Sequence, residues 1–125
     1  MKSAQTPLHK VQGMGASHSG TGHFWRERVT AVALIPLSLW FAYAMLGLAG
    51  ASEPAILNFL SLPWNALLMA TFAAISAYHM GLGIQVVIDD YVHAAGTKIL
   101  LLLLVRAVVI ALIGTCVFAL IRIAS

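Results

Sequence analysis

The sequence predicts an all-α integral membrane protein of three transmembrane helices, and three observations predict it. Hydrophobic residues make up 61% of the 125 and charged residues 9%, whereas soluble domains hold roughly 45–50% and 25%. The apolar residues gather into three runs, each near the ~20 residues that carry a helix across a bilayer core. The segments between the runs are too short to be domains, and no internal repeat divides the chain. So small a bundle has little interior: most of each helix must face lipid or other subunits, and a partner or cofactor is expected.

Residues 1–22 are rich in Gly, Ser, Thr and Gln, carry Lys2 and Lys10, and include no acid. Without an apolar run they do not read as a signal peptide. They are expected to form a flexible cytoplasmic tail ahead of one membrane anchor domain, residues 23–125. A transit peptide is the alternative, opposed by the lack of arginine and of an amphipathic period in the tail.

The first span, about residues 29–49, has no charged side chain. Pro36 within it should kink the helix without breaking it, because neighbouring helices satisfy the freed carbonyl. The second span, about 63–88, opens with Pro63, suited to a first helical turn, and its strongly polar side chains are His79 and Gln85. The third, about 99–121, is rich in Leu and Val and holds one charge, Arg106. GASEPAILNFLSL and DDYVHAAGTK are expected to be the connecting loops.

Charge sets the expected orientation. Lys2, Lys10, Arg26 and Arg28 flank the first span and Lys98 lies in the second loop, while the first loop has Glu53 and no base. Basic loops stay inside. The amino terminus and the second loop should be cytoplasmic, with the carboxyl terminus periplasmic across a bacterial inner membrane; a mitochondrial inner membrane is the alternative. Arg122 is the opposing charge. Trp25, Trp64 and Tyr91 sit near span ends as aromatic belts require, and Trp40 lies deeper. No basic patch is interleaved with stacking aromatics, so nucleic acid is not an expected partner. Cys116 has no mate, which excludes a disulfide framework and an iron–sulfur cluster held by this chain alone.

His79 is the residue that composition does not explain. At ~1.5 Å per residue the ten steps to Asp89 place it roughly 15 Å from the end of its span. An ionisable group at that depth is costly and faces the bundle interior with a defined partner. Ala73, Ala74, Ser76, Ala77, Gly81 and Gly83 leave room around it for a flat macrocycle, or serve plain helix packing. No His, Cys or carboxylate at i+3 or i+4 shares a small ion with it. An axial haem ligand and a hydrogen bond to a neighbouring helix are the two readings left open.

The stretch HMGLGIQVVIDDYVH puts Asp90 eleven and Tyr91 twelve residues after His79. This pattern resembles the hydrophobic membrane anchor subunits of succinate dehydrogenase, the succinate:quinone oxidoreductase of respiratory complex II. The short chain, the middle position of the motif-bearing span and the arginine opening RVTAVAL add to it, and the resemblance covers about residues 24–124.

The resemblance implies a helix bundle shared with a companion cytochrome b subunit. It makes His79 one axial ligand of a b-type haem, bonded to the haem iron, whose second histidine belongs to that companion. Arg28 resembles the arginine that meets the haem propionates, and also fits a plain positive-inside anchor. Tyr91 corresponds to the tyrosine that hydrogen-bonds a ubiquinone carbonyl and Asp90 to the carboxylate beside it; their bland readings are a belt residue and a loop carboxylate. Asp89 matches no motif position and reads as solvated charge. His93 lies near the same surface. Arg106 falls outside the pattern and is expected to snorkel toward head groups or the partner. Gln85 is expected to be satisfied within the bundle, with Ser38 and Ser76 bonding back to their own helices.

The chain would then anchor a flavoprotein subunit and an iron–sulfur subunit and contribute part of the ubiquinone site, without oxidising succinate itself. It has no dinucleotide fingerprint or cysteine cluster, so flavin and iron–sulfur centres belong to other polypeptides. The rival readings are a subunit of another membrane b-type cytochrome, and a cofactor-free assembly or transport protein in which His79 packs or relays protons.

Overall fold

The computed structural model describes residues 20–124. They form four helices: α1 (Gly20–Gly47), α2 (Glu53–Ser61), α3 (Pro63–Tyr91) and α4 (Ala95–Ala124). Three of these are long and apolar enough to cross a membrane. The expected tail lies outside the described residues up to residue 19, and residues 20–22 already belong to α1. Each long helix outruns its apolar run because backbone hydrogen bonding continues where hydropathy stops; at ~1.5 Å per residue α1 is about 40 Å long, against a hydrocarbon core of ~30 Å.

α1 passes through Pro36 unbroken. The missing N–H leaves the Val32 carbonyl without its intrahelical donor, a loss that one proline-compatible φ does not turn into a break. Beyond Gly47 the chain turns through Gly50 at φ 75°, a left-handed conformation that glycine adopts without steric cost.

The first loop contains a helix that hydropathy did not predict. In α2, Glu53 and Pro54 occupy the first turn, where an acid complements the helix dipole and a proline's missing N–H costs nothing. Ile56, Phe59 and Leu60 are half-buried, and α2 packs against α3 and α4. A single extended residue, Leu62, separates it from α3.

The second loop is shorter than expected. Asp89, Asp90 and Tyr91 form the last turn of α3, closed by the Val92 N–H donating to the Ile88 carbonyl at 3.0 Å. Only residues 92–94 precede α4. DDYVHAAGTK is thus mostly helix end and helix start.

α3 is the hub: it contacts α1, α2 and α4, whereas α1 and α4 do not meet among the described residues. The core is correspondingly thin. It consists of Ala44 on α1, Ala77, Leu82 and Ile88 on α3, and Val109 and Leu120 on α4. α3 and α4 approach closest at Gly81, where an added Cβ would stand 2.8 Å from Val109 Cγ2. α1 meets α3 through the stacked rings of Phe41 and Phe72, 4.6 Å apart.

Candidate functional site

The site grows from the pairing of α1 with α3. Thr30 contacts His79 and Phe41 contacts Phe72, so numbers rise along one helix as they fall along the other. The antiparallel run brings Arg26 and Arg28 to the same end as Asp90 and Tyr91.

His79 is half-buried, and its Nδ1 lies 2.8 Å from Thr30 Oγ1. The same hydroxyl is 2.7 Å from the Arg26 carbonyl and 3.1 Å from that of Glu27. A hydroxyl has one proton to give. With that proton given to the carbonyls of its own helix, Thr30 is placed to accept from Nδ1–H, and the tautomer that makes this bond keeps a lone pair on Nε2. Among the described residues Nε2 has no hydrogen-bond partner.

The small residues around His79 divide by role. Gly81 and Ala77 serve the helix contact, the first against Val109 and the second buried. Gly83 is different: a Cβ there meets nothing within 4 Å. It lies one turn beyond His79, so the open surface is next to the imidazole. An Nδ1-anchored histidine with a free Nε2 beside an open strip is the donor arrangement an axial haem ligand requires. The residues present fit such a group, and no cluster of three or more His, Cys, Asp or Glu among the described residues fits a small ion.

At the motif end the two aspartates part company. Asp89 pairs with Lys98 Nζ at 2.8 Å, and the same ammonium lies 3.5 Å from the Asp89 carbonyl. Asp89 is an exposed charge, as expected, that also ties the α3–α4 turn. Asp90 is exposed and makes no ion pair among the described residues. Tyr91 is 80% exposed, and its hydroxyl has no partner among them. The eleven steps from His79 to Asp90 are about three turns, which returns the carboxylate within ~20° of the same helix face. The twelve steps to Tyr91 span about 18 Å. These are therefore two places on one face-aligned helix, one in mid-span and one at its end.

Arg28 is exposed, with its guanidinium over the Phe24 ring 4.9 Å from the centroid. It touches no carboxylate among the described residues. His93 is exposed and meets none of these groups.

Sequence reasoning missed Thr30. A threonine in a span ordinarily bonds back to its own helix, as Thr71 does to the Leu67 carbonyl at 2.8 Å, and nothing local marks one that also reaches a neighbour. Ser38, Ser76 and Gln85 make no hydrogen bond among the described residues, contrary to expectation.

Comparisons with known proteins bear on the family of the chain. The family described as succinate dehydrogenase/fumarate reductase transmembrane subunit matches residues 2–113. The succinate dehydrogenase hydrophobic membrane anchor subunit of Paracoccus denitrificans is 33% identical over 93 residues, covering 74% of this chain and 72% of that one. Its counterpart in Rickettsia felis is 33% identical over 110 residues, 88% and 92% of the two chains. The succinate dehydrogenase membrane anchor subunit of Reclinomonas americana is 30% identical over 95 residues, 74% and 79%. No solved structure gives a significant match. Three apolar helices around a central α3, together with these relatives, place the chain in the succinate dehydrogenase/fumarate reductase transmembrane subunit family, among its hydrophobic membrane anchor subunits.

Proposed function

We propose that this chain anchors a succinate:ubiquinone oxidoreductase to a bacterial inner membrane, with its amino terminus in the cytoplasm. It docks the flavoprotein and iron–sulfur subunits and pairs with a companion cytochrome b subunit. The observation that carries the cofactor part is the Thr30–His79 hydrogen bond, which engages Nδ1 while Nε2 has no partner among the described residues. His79 then supplies one axial ligand of a haem b held between two subunits. Bound there with a second histidine, the haem supplies a low-spin one-electron centre. Arg28, two residues from Thr30 on α1, reaches a propionate by exchanging its contact with Phe24 for a charge-assisted hydrogen bond.

Ubiquinone binds at the motif end of α3. The Tyr91 hydroxyl donates to a quinone carbonyl while its ring stays at the membrane surface, where an apolar body with a polar tip belongs. Asp90, unlike Asp89, has no lysine neutralising it and is available to orient donors or pass protons. Two electrons delivered from the iron–sulfur subunit and two protons from the cytoplasm convert the quinone to quinol.

The test is His79→Ala in the assembled complex. The expected outcome is loss or alteration of the low-spin haem spectrum, with succinate oxidation by a soluble dye retained. An unchanged spectrum and haem content would assign His79 to packing and remove the cofactor reading.

A further inference from the structure

A second face of α3, offset from that of His79, borders a cavity of about 320 Å³ between α1 and α4, and two arginines line it: Arg26 from α1 and Arg106 from α4. Tyr78 and Gln85 of α3 add polar atoms, and Val105 and Val109 form apolar wall. No carboxylate lines it. Of the chain's four acids, Asp89 is tied to Lys98, Glu53 lies on α2 beyond the far end of α3, and Glu27 and Asp90 are not among the lining residues.

We propose that this groove binds the phosphate head of an anionic phospholipid. Both arginines are exposed residues that line one groove, and a phosphodiester between them meets their planar donors in matched geometry. Both side chains lean the right way. Side chains tilt toward a helix amino terminus, α1 and α4 both begin at this end of the bundle, and Arg26 Nε already reaches back to the Gly22 carbonyl at 3.0 Å. The cationic part of the groove thus sits toward the membrane surface.

The deeper part is apolar and opens to lipid. Ile110, which lines it, is 70% exposed, and the four steps from Arg106 to Ile110 give about 6 Å of wall along which an acyl chain starts. A quinone offers a neutral head that does not call for two cations. An anionic head on an apolar tail answers both ends of the groove.

The test uses the whole complex, purified in mild non-ionic detergent, with its retained lipid identified by native mass spectrometry. The wild-type complex should keep phosphatidylglycerol through detergent exchange, and the Arg26→Gln/Arg106→Gln variant should bind it about tenfold more weakly or worse, the loss of at least one charge-assisted bond. In the delipidated complex, phosphatidylglycerol vesicles should raise the thermal midpoint where phosphatidylcholine vesicles and free inorganic phosphate do not. A photo-crosslinking residue at position 110 covers the case in which the double variant fails to assemble, and it should label phospholipid. Equal retention in the double variant, or a cross-link to quinone or to another subunit in place of lipid, overturns the proposal.

Discussion

Thr30 decides which nitrogen of His79 is available, and that makes it as consequential as the histidine. Thr30→Val keeps the shape and removes the acceptor, so the ring is free to change tautomer. Outer-shell partners of this kind are worth about 10–100-fold in metal-ligand affinity or activity; haem content should fall and the haem potential shift, while Thr30→Ser restores both. Redox titration of the two variants measures it, and identical potentials would leave Thr30 a packing residue. At the other end of α3, Tyr91→Phe keeps the ring and deletes one donor. A lost bond of ~1–3 kcal/mol at ~1.4 kcal/mol per tenfold slows quinone reduction by roughly one to two powers of ten, with haem content and dye-linked succinate oxidation unchanged; Asp90→Asn should be milder. Intact quinone reductase in Tyr91→Phe would make it a belt residue. His79 was legible in the sequence because a polar group in an apolar run stands out. Thr30 was not, since the information lies in a contact 49 residues away, and neither was the difference between two adjacent aspartates, which depends on where Lys98 falls across a turn.

At the scale of the helix, two glycines two positions apart carry opposite demands. Gly81 faces Val109 at a distance no Cβ tolerates, and a valine cannot swing its methyl aside as a longer chain could. Gly81→Ala should cost about 1–3 kcal/mol through overpacking, lowering the thermal midpoint of the complex, and Val109→Ala in the same chain should return part of the loss. The Cβ of Gly83→Leu meets nothing within 4 Å among the described residues; the substitution should leave the α3–α4 contact intact and lower haem content instead. Thermal melts and pyridine haemochrome assays of both variants separate the two roles, and matching behaviour would contradict the division. The three long helices were readable from hydropathy alone, because the bilayer imposes one length on all of them. α2 was not, since nine residues are too few to register as a span, although Pro54 and Pro63 each marked a helical first turn.

For the molecule as a whole, the scarcity of buried side chains sets the terms. With a core of six residues among those described, none of them larger than leucine or isoleucine, the chain buries too little there to hold three helices in fixed register by itself. Expressed without its companion subunit it should turn over quickly and lack the Thr30–His79 contact, which pulse-chase labelling and cross-linking between α1 and α3 would report; a long-lived solitary chain would contradict this. The order of contacts has a further consequence for how the protein is made. Among the described residues α1 and α4 do not pack on each other, so α1 leaves the ribosome with no helix to pack on until α3 is complete, 44 residues later. At about 5–20 residues per second it waits some 2–9 s alone in lipid. During that interval insertion machinery or an already inserted companion subunit can claim the face that Thr30 later offers to His79, so the timing of synthesis, as much as affinity, governs which helix α1 meets first.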